Sequence, residues 1–592
     1  MGVIKVISLF VCLMVVGTSA FSKHIKVTDS DGMPLSKVMV TLEVMYASLP
    51  ENRLPVTVTR FSDLGGFVSF DSITNQGSAS ALKQDTKGRY RARSYGYQDA
   101  IVNVATITDE IKITMVKELD PLAIAFSKPA NSWVEGINFP NDEIKKHFLT
   151  QCTYCHQQGS QFTRIHRTEE EWRTVVQRMI NYGSHLSSDS QEIIPKVLAE
   201  NYKRLNGNPE MVPAVRHWDD YLLNSEVIEW KIGDSQSNMH DLLLSTDGVT
   251  YVGDDLNGRL YKLDVKTGHT EVFELPYVKG DEKGGPLGFD IDVFPGQGYV
   301  RLHSLAESKV DGHIFTTDPR QNRIHEFNPD TKEFSWHQIP DGFFPHTIRT
   351  DSKDRVWFTM AASNHIGMID RHNSNEIVMY ELPSRSFMEW LQIKLLSPVI
   401  TLAENGFSLS SLPISEDSEG FPFPYGIDIS PDGTVWFARL HANDIGSINP
   451  DTGEIKLYKT PFTGPRRMRA DEDGYIWVTA YADSKIAKFS PSTSEFEIFE
   501  LPVIPVGSEI PYALNIDHKR HLVWVTGTSS DSLMSMDMIT KEWRVYPLPR
   551  KGSYTRELEI MNDGSVLTST SSMPAWHEEG MLPTVIRLKP GS

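Results

Sequence analysis

The residues best suited to chemistry lie in one short run, Cys152-Thr153-Tyr154-Cys155-His156. Two thiols two residues apart can add to the vinyl groups of a haem, and the imidazole directly after them can coordinate its iron. The same spacing serves a redox dithiol or half of a zinc site. The chain has three cysteines, and Cys12 lies in an apolar leader, so no second pair is left to complete a zinc cage. The preferred reading is one covalent haem c on Cys152 and Cys155, with His156 on the iron. For the sixth position Met179 is the first choice, with His185 and Met211 as rivals; the alternative is that Met179 packs as core. Arg164 and Arg167 are placed to pair with haem propionates, or else are solvated.

These residues need helices to hold them, and residues 135–222 have a helical pattern. Asp142 to Gln151 forms a short helix leading into the cysteines. Thr168 followed three on by Glu171 is a capping box, and Trp172, Val175, Val176 and Met179 recur behind it at helical spacing. A second box at Ser188 to Gln191 opens a helix carrying Ile193, Ile194, Val197 and Leu198, which Pro195 should kink or delay. The segment Trp172 to Gly183 resembles the methionine-bearing helix of small bacterial cytochromes c. That resemblance implies a small all-α cytochrome c domain, with Met179 as the axial ligand.

From residue 225 onward the chain repeats itself. Pro424 to Ala438 and Pro345 to Thr359 share one plan, which Pro465 to Thr479 and Pro511 to Thr526 follow. Seven units open near Met239, Pro286, Pro345, Pro424, Pro465, Pro511 and Thr555, each with turns spaced for four short strands. The last unit ends at Val585 to Leu588 without its fourth strand, and Ser225 to Trp230 supplies one, closing a seven-bladed propeller. Insertions are expected near Gly296 to Lys309 and Ser384 to Gly420.

The residue after each opening position enters the innermost strand and faces the channel. Around the ring these are His240, Leu287, His346, Tyr425, Arg466, Tyr512 and Arg556, with Asp241, Arg467 and Glu557 beside them. A mostly polar and cationic ring suits a pocket for something anionic or redox-active; a water-filled channel mouth is the plainer alternative. His240 and His346 are candidate bases or ligands, Arg466 and Arg556 anion anchors, and Tyr425 and Tyr512 donors. The other propeller histidines, His303, His313, His325, His365, His441 and His577, lack metal-ligand spacing and are read as surface residues.

The Val-Trp-Phe-Thr strands, Ile-Gly turns and Pro-Asp-Thr-Gly corners resemble the streptogramin B (virginiamycin B) lyase propeller over about 360 residues. In that family a ring histidine works with a glutamate on the following strand, near magnesium. The matching positions here are Asp254, Met360, Arg439 and Thr570, so the pair is missing or reduced to His240 with Asp254. The resemblance therefore implies the fold more strongly than the elimination chemistry.

Residues 1–20 are expected to be a secretory signal, with Lys5, an apolar run and small residues before a cut after about Ala20. Residues 23–118 alternate as a small all-β domain, with Val38, Val40, Leu42 and Val44 on one face and Lys37, Thr41 and Glu43 on the other. The runs Asp29 to Leu35, Gly88 to Arg93 and Gly96-Tyr97 resemble the carboxypeptidase regulatory-like sandwich, implying a spacer or docking module. The expected class is thus multidomain and mainly β: sandwich, small all-α domain, and propeller over 225–592. A net charge of −19 argues against nucleic acid or an anionic membrane as partner. No later segment is apolar enough to span a bilayer.

The leading expectation is a periplasmic oxidoreductase. Its propeller binds a small substrate, a second cofactor or a divalent metal, and electrons pass through the haem to or from a periplasmic partner protein. The alternatives are a non-enzymatic electron-transfer subunit with a docking propeller, and a carbon–oxygen lyase.

Overall fold

The computed structural model describes residues 24–45, 52–70, 87–104, 111–181, 184, 186–277, 300–404 and 422–591. The expected leader, Leu287 and His185 lie outside them. The protein is mainly β. Seven four-stranded antiparallel blades, six of them separate sheets and the seventh part of an eight-stranded sheet, form a closed ring in which each innermost strand packs on the next and the seventh returns to the first.

Their innermost strands are Met239–Leu244, Leu305–Glu307, Pro345–Thr350, Pro424–Ile429, Pro465–Ala470, Pro511–Asp517 and Thr555–Ile560, here blades 1 to 7. The blade motifs have local causes. The indole N–H groups of Trp357 and Trp477 donate to the turn carboxylates of Asp351 and Asp471, both at 2.9 Å. The threonines Thr317, Thr359, Thr479 and Thr526 accept the backbone N–H groups of Ser304, Thr347, Arg467 and Ala513 on the inner strands.

Blade 7 closes as expected, with Glu226–Lys231 as its outer strand beside Thr584–Lys589. The same strand also pairs on its other edge with Val56–Phe61 of the N-terminal domain, so one sheet runs through both units. The edge of blade 7 is thus covered by the N-terminal domain, for which a spacer or docking module was expected. The face opposite Val38, Val40 and Leu42 is packed there too, since Met39 and Phe61 pack with Leu548 and Leu588. Glu579 from the propeller binds Arg91 and Arg93 across the join.

Blade 2 starts later than the repeat suggested. Its inner strand begins at Leu305, and residues 300–309 are part of the blade instead of an inserted loop. In the second insertion a helix, Phe387–Glu404, projects from blade 3, anchored by the buried Glu389 to Arg385 at 2.6 Å. Among the described residues no helix is long and apolar enough to cross a membrane.

The helices Pro121–Ser127, Ala130–Glu135, Asp142–Gln151, Glu169–Asn181 and Ser188–Gly207 lie between sandwich and propeller in sequence. The Thr168/Glu171 box is reciprocal, Thr168 N to Glu171 Oε2 at 2.7 Å and Glu171 N to Thr168 Oγ1 at 3.3 Å. The next helix is capped by Ser187 and starts at Ser188, so Pro195 lies inside it and does not delay its start. Phe148, Trp172, Val176, Ile194, Leu198 and Tyr202 form a core shared with Tyr425, Tyr481 and Tyr512 of the propeller.

Candidate functional site

The inner strands aim seven side chains at the axis by a common device. In blades 1 and 3 to 7 the ladder slips just before the strand settles into register, as between Pro345↔Met360 and Ile348↔Phe358. Such bulges re-aim side chains. The residue two before the first regular pair is His240, His346, Tyr425, Arg466, Tyr512 or Arg556. By the same count in blade 2, where Leu305 pairs Thr316, it is His303. The ring residue of blade 2 is therefore His303 in place of Leu287.

Three imidazoles from blades 1 to 3 lie together. His240 and His303 have ring centroids 3.6 Å apart, and His303 and His346 4.1 Å. All three are buried, and burial first, then the nearby guanidiniums and one another, push their pKa values well below the ordinary 6.5. They are neutral. Each Nδ1 is engaged: His240 donates to Asp241 at 3.0 Å, His303 donates to the His346 carbonyl at 3.3 Å, and His346 Nδ1 lies 3.0 Å from Thr347 Oγ1. His240 Nε2 is left facing the Tyr512 hydroxyl at 3.3 Å.

Blades 4 to 7 supply the other half. The Tyr425 and Tyr512 hydroxyls share a short hydrogen bond, and Arg466 Nη2 donates to Tyr425 at 2.7 Å. The Arg466 guanidinium lies over the rings of Tyr512, Tyr481, Tyr425 and Tyr154 at 3.8, 4.0, 4.6 and 5.2 Å. Burial pushes the Tyr512 phenol upward, but Arg466, Arg556 and Arg467 outweigh it and leave Tyr512 below its ordinary value. Gly426 makes this packing possible, since a Cβ there would stand 2.3 Å from the Arg466 carbonyl oxygen.

Beside the ring lies an ionic layer. Arg467 bonds Asp241 and Glu557, Arg469 bonds Glu557, and Arg349 reaches Glu557 and Asp428. Asp254, the expected acid/base partner of His240, is not in either layer. It accepts from Asn238 N and Asn257 Nδ2, both at 3.0 Å, while Asp241 takes its place at His240.

The Cys152–His156 loop covers this ring. Tyr554 Oη donates to the Thr153 carbonyl, and Arg556 Nη2 donates to the Tyr154 carbonyl at 2.7 Å. Thr153 Oγ1 meets Tyr481 Oη at 2.7 Å, and Tyr154 Oη meets His441 Nε2 at 2.9 Å. On the next residues Gln157 donates to Thr528 O and Asp531 Oδ1, and Met573 N donates to Cys155 O at 2.7 Å. Cys152 and Cys155 do not form a disulfide. His156 Nδ1 donates to Gln157 O at 3.1 Å, and its ring stacks on His577 at 4.2 Å and 11°.

The other expected residues are placed as follows. Met179 is half-buried and is not among the side chains packed on the shared core. Met211 is exposed. Arg164 is buried on the carbonyls of Lys128 and Phe126, its pKa lowered by burial to about 10. Arg167 lies over Trp172 at 4.9 Å. The histidines read as surface residues are not so: His303, His325 and His365 are buried, and His313, His441 and His577 half-buried. Sequence reasoning missed His303, Tyr481, Tyr554 and His577. For His303 a signal existed, because Thr317 follows it at the same remove as Thr526 follows Tyr512.

Among the described residues one group has three ligand atoms close enough for a metal, Asp311, His313 and Glu326. Arg371 already bonds both carboxylates, so a cation occupies it. The three ring imidazoles are tilted against one another and do not converge in that way.

Residues 408–573 match the model of the virginiamycin B lyase family. No curated protein sequence matches the chain. Among solved structures, a streptogramin B lyase is 18% identical with a TM-score of 0.47, covering 63% of this chain and 100% of that one. Virginiamycin B lyase from Staphylococcus aureus is 16% identical with a TM-score of 0.45, covering 62% and 99%. A catalytically inactive form of that enzyme with quinupristin is 17% identical with a TM-score of 0.46, covering 62% and 99%. The lyase-like, propeller-like fold follows from the family match together with the sheets themselves.

Proposed function

We propose that this protein is an exported, periplasmic c-type cytochrome that oxidises a small organic substrate at the propeller axis. One observation carries the reading: ring residues Arg556 and Tyr554 hold the carbonyls of Tyr154 and Thr153, so the cysteine loop is the lid of the ring. The residues fit a covalent haem. Cys152 and Cys155 are not joined to each other in a disulfide and follow directly on a helix, and the Nδ1 bond of His156 leaves Nε2 for iron, as expected of a metal-ligating histidine. Arg164 is buried, pairs with no carboxylate among the described residues, and has an unpaired Nε, which suits a propionate. Met179, outside the packed core, is the proposed sixth ligand.

When bound, the haem supplies one-electron transfer. The chain's own residues do the rest. Asp241 accepts from His240 Nδ1, which fixes the tautomer with a lone pair on Nε2. Tyr512 lies between that nitrogen and Arg466, so its oxygen takes a substrate proton with His240 as relay. A two-electron oxidation releases two protons, and its electrons leave singly to two equivalents of a periplasmic one-electron acceptor protein. The lid excludes water from the ring.

The docking alternative draws support from the Phe387–Glu404 helix, which exposes Phe387, Met388 and Trp390. The lyase alternative is weaker, because Asp254 is turned to Asn238 and Asn257.

The test is haem attachment. Expressed with a c-type maturation system, the chain should carry one haem that survives denaturation, and Cys152→Ala with Cys155→Ala should abolish it. A folded protein with no covalent haem would overturn the reading.

A further inference from the structure

We propose that the ring is a binding site for a small hydroxycarboxylate, with its carboxylate on Arg466 and Arg556 and its hydroxyl at Tyr512 and His240. As a statement about the substrate it rests on the redox reading above; as a statement about binding it stands on the ring alone.

The argument is one of charge balance in a buried place. In the ionic layer beside the ring, Arg349, Arg467 and Arg469 are answered by Asp241, Asp428 and Glu557, and Glu559 also faces Arg469 and Arg349. Arg301, whose charge acts on His240 and His303, is answered by Asp255. The ring itself is not balanced. Arg466 and Arg556 are buried, at 1% and 3% exposure, and among the described residues no carboxylate pairs with either. Arg466 Nε and Nη1 and Arg556 Nε have no hydrogen-bond partner. Two buried guanidiniums with unspent donors are costly unless an anion joins them. Their planar fork favours a carboxylate, which takes two parallel N–H bonds.

The surroundings decide which anion. The three imidazoles are neutral and add no charge to repel or attract it. The tyrosine rings packed on Arg466 make the walls aromatic, which suits an organic ligand better than a hydrated inorganic ion. Tyr512 touches both halves: Arg466 lies over its ring, and His240 Nε2 faces its hydroxyl. A carboxylate at the arginines with a hydroxyl on the adjacent carbon spans that junction. A metal ion fits the same place poorly, because two uncompensated cations raise the local potential and the imidazoles do not converge.

The experiment is calorimetric titration of the oxidised, haem-loaded full chain with glycolate, lactate and mandelate, each beside its neutral amide. At least one acid should bind roughly 100-fold more tightly than its amide, because the amide leaves the buried guanidiniums unpaired. Arg466→Gln and Arg556→Gln, checked for unchanged haem spectrum and circular dichroism, should each lose about 10-fold or more in acid affinity. Acids and amides binding alike, or no acid binding to the folded protein, would overturn the proposal. Failure of the redox reading looks different: acids bind, and the haem is not reduced. Reduction by a neutral donor without acid binding would sink this proposal and leave the redox reading standing.

Discussion

Tyr512 has a base on one side and cations on the other, and its chemistry follows from that position. His240 Nε2 faces its hydroxyl at 3.3 Å, and Arg466 lies over its ring. Burial alone would raise the phenol, yet Arg466, Arg556 and Arg467 hold it below its usual value. In the proposed oxidation, Tyr512→Phe should lower kcat/KM by roughly 10²-fold or more while the haem spectrum stays unchanged. The alkaline-rising limb of the pH–rate profile reports the deprotonated phenol. Arg556→Gln removes a charge that favours this form, so the limb should move to higher pH. A limb that stays in place, or moves to lower pH, would show that Tyr512 is not the group titrating. This residue was visible in the sequence because Pro511 marks its strand. His303 was marked only by its spacing to Thr317, because blade 2 has Leu302 in place of the opening proline and follows a long interval from blade 1. Asp254 misled for a related reason: its place at a strand end suggested the axis, but its carboxylate is spent on Asn238 and Asn257.

At the scale of elements, the repeat was legible because each blade must solve the same local problems. An indole needs a turn acceptor, a bulged amide needs a threonine, and both leave marks in sequence. Closure by the strand before the first blade was legible for the same reason. The join between sandwich and propeller was not, since Val56–Phe61 and Glu226–Lys231 are far apart in the chain and cross-domain pairing leaves no period. That join has a measurable electrostatic part. Burial would raise the Glu579 carboxyl, but hydrogen bonds and charge from Arg93 and Arg91 hold it at about 2 against an ordinary 4.5. Its stabilising contribution is fully present above pH 4.5 and is lost as pH falls from there towards 2, on the order of 2 kcal/mol at most. Glu579→Gln should therefore lower Tm at pH 7 and flatten the decline of Tm between pH 5 and pH 3. An unchanged pH dependence in the variant would mean that the pair does not couple the two domains.

The whole molecule brings two distant chemistries into one place. Residues 152–157 lie far in sequence from blades 5, 6 and 7, yet Tyr481, Thr528, Asp531, Met573 and His577 all grip them. A shared apolar core runs from Phe148 and Trp172 to Tyr425 and Tyr512. The motif alone suggested a haem and the ring alone suggested a pocket; their contact is what joins them into one proposed reaction. The direct test is rapid anaerobic mixing of the oxidised chain with lactate or mandelate, following the reduced haem band. The account expects at least one of these acids to reduce the haem, two chains being reduced for each acid oxidised, in a phase that Arg466→Gln slows about 10-fold or more. A haem that stays oxidised with a bound acid, or is reduced equally fast in Arg466→Gln, would contradict it.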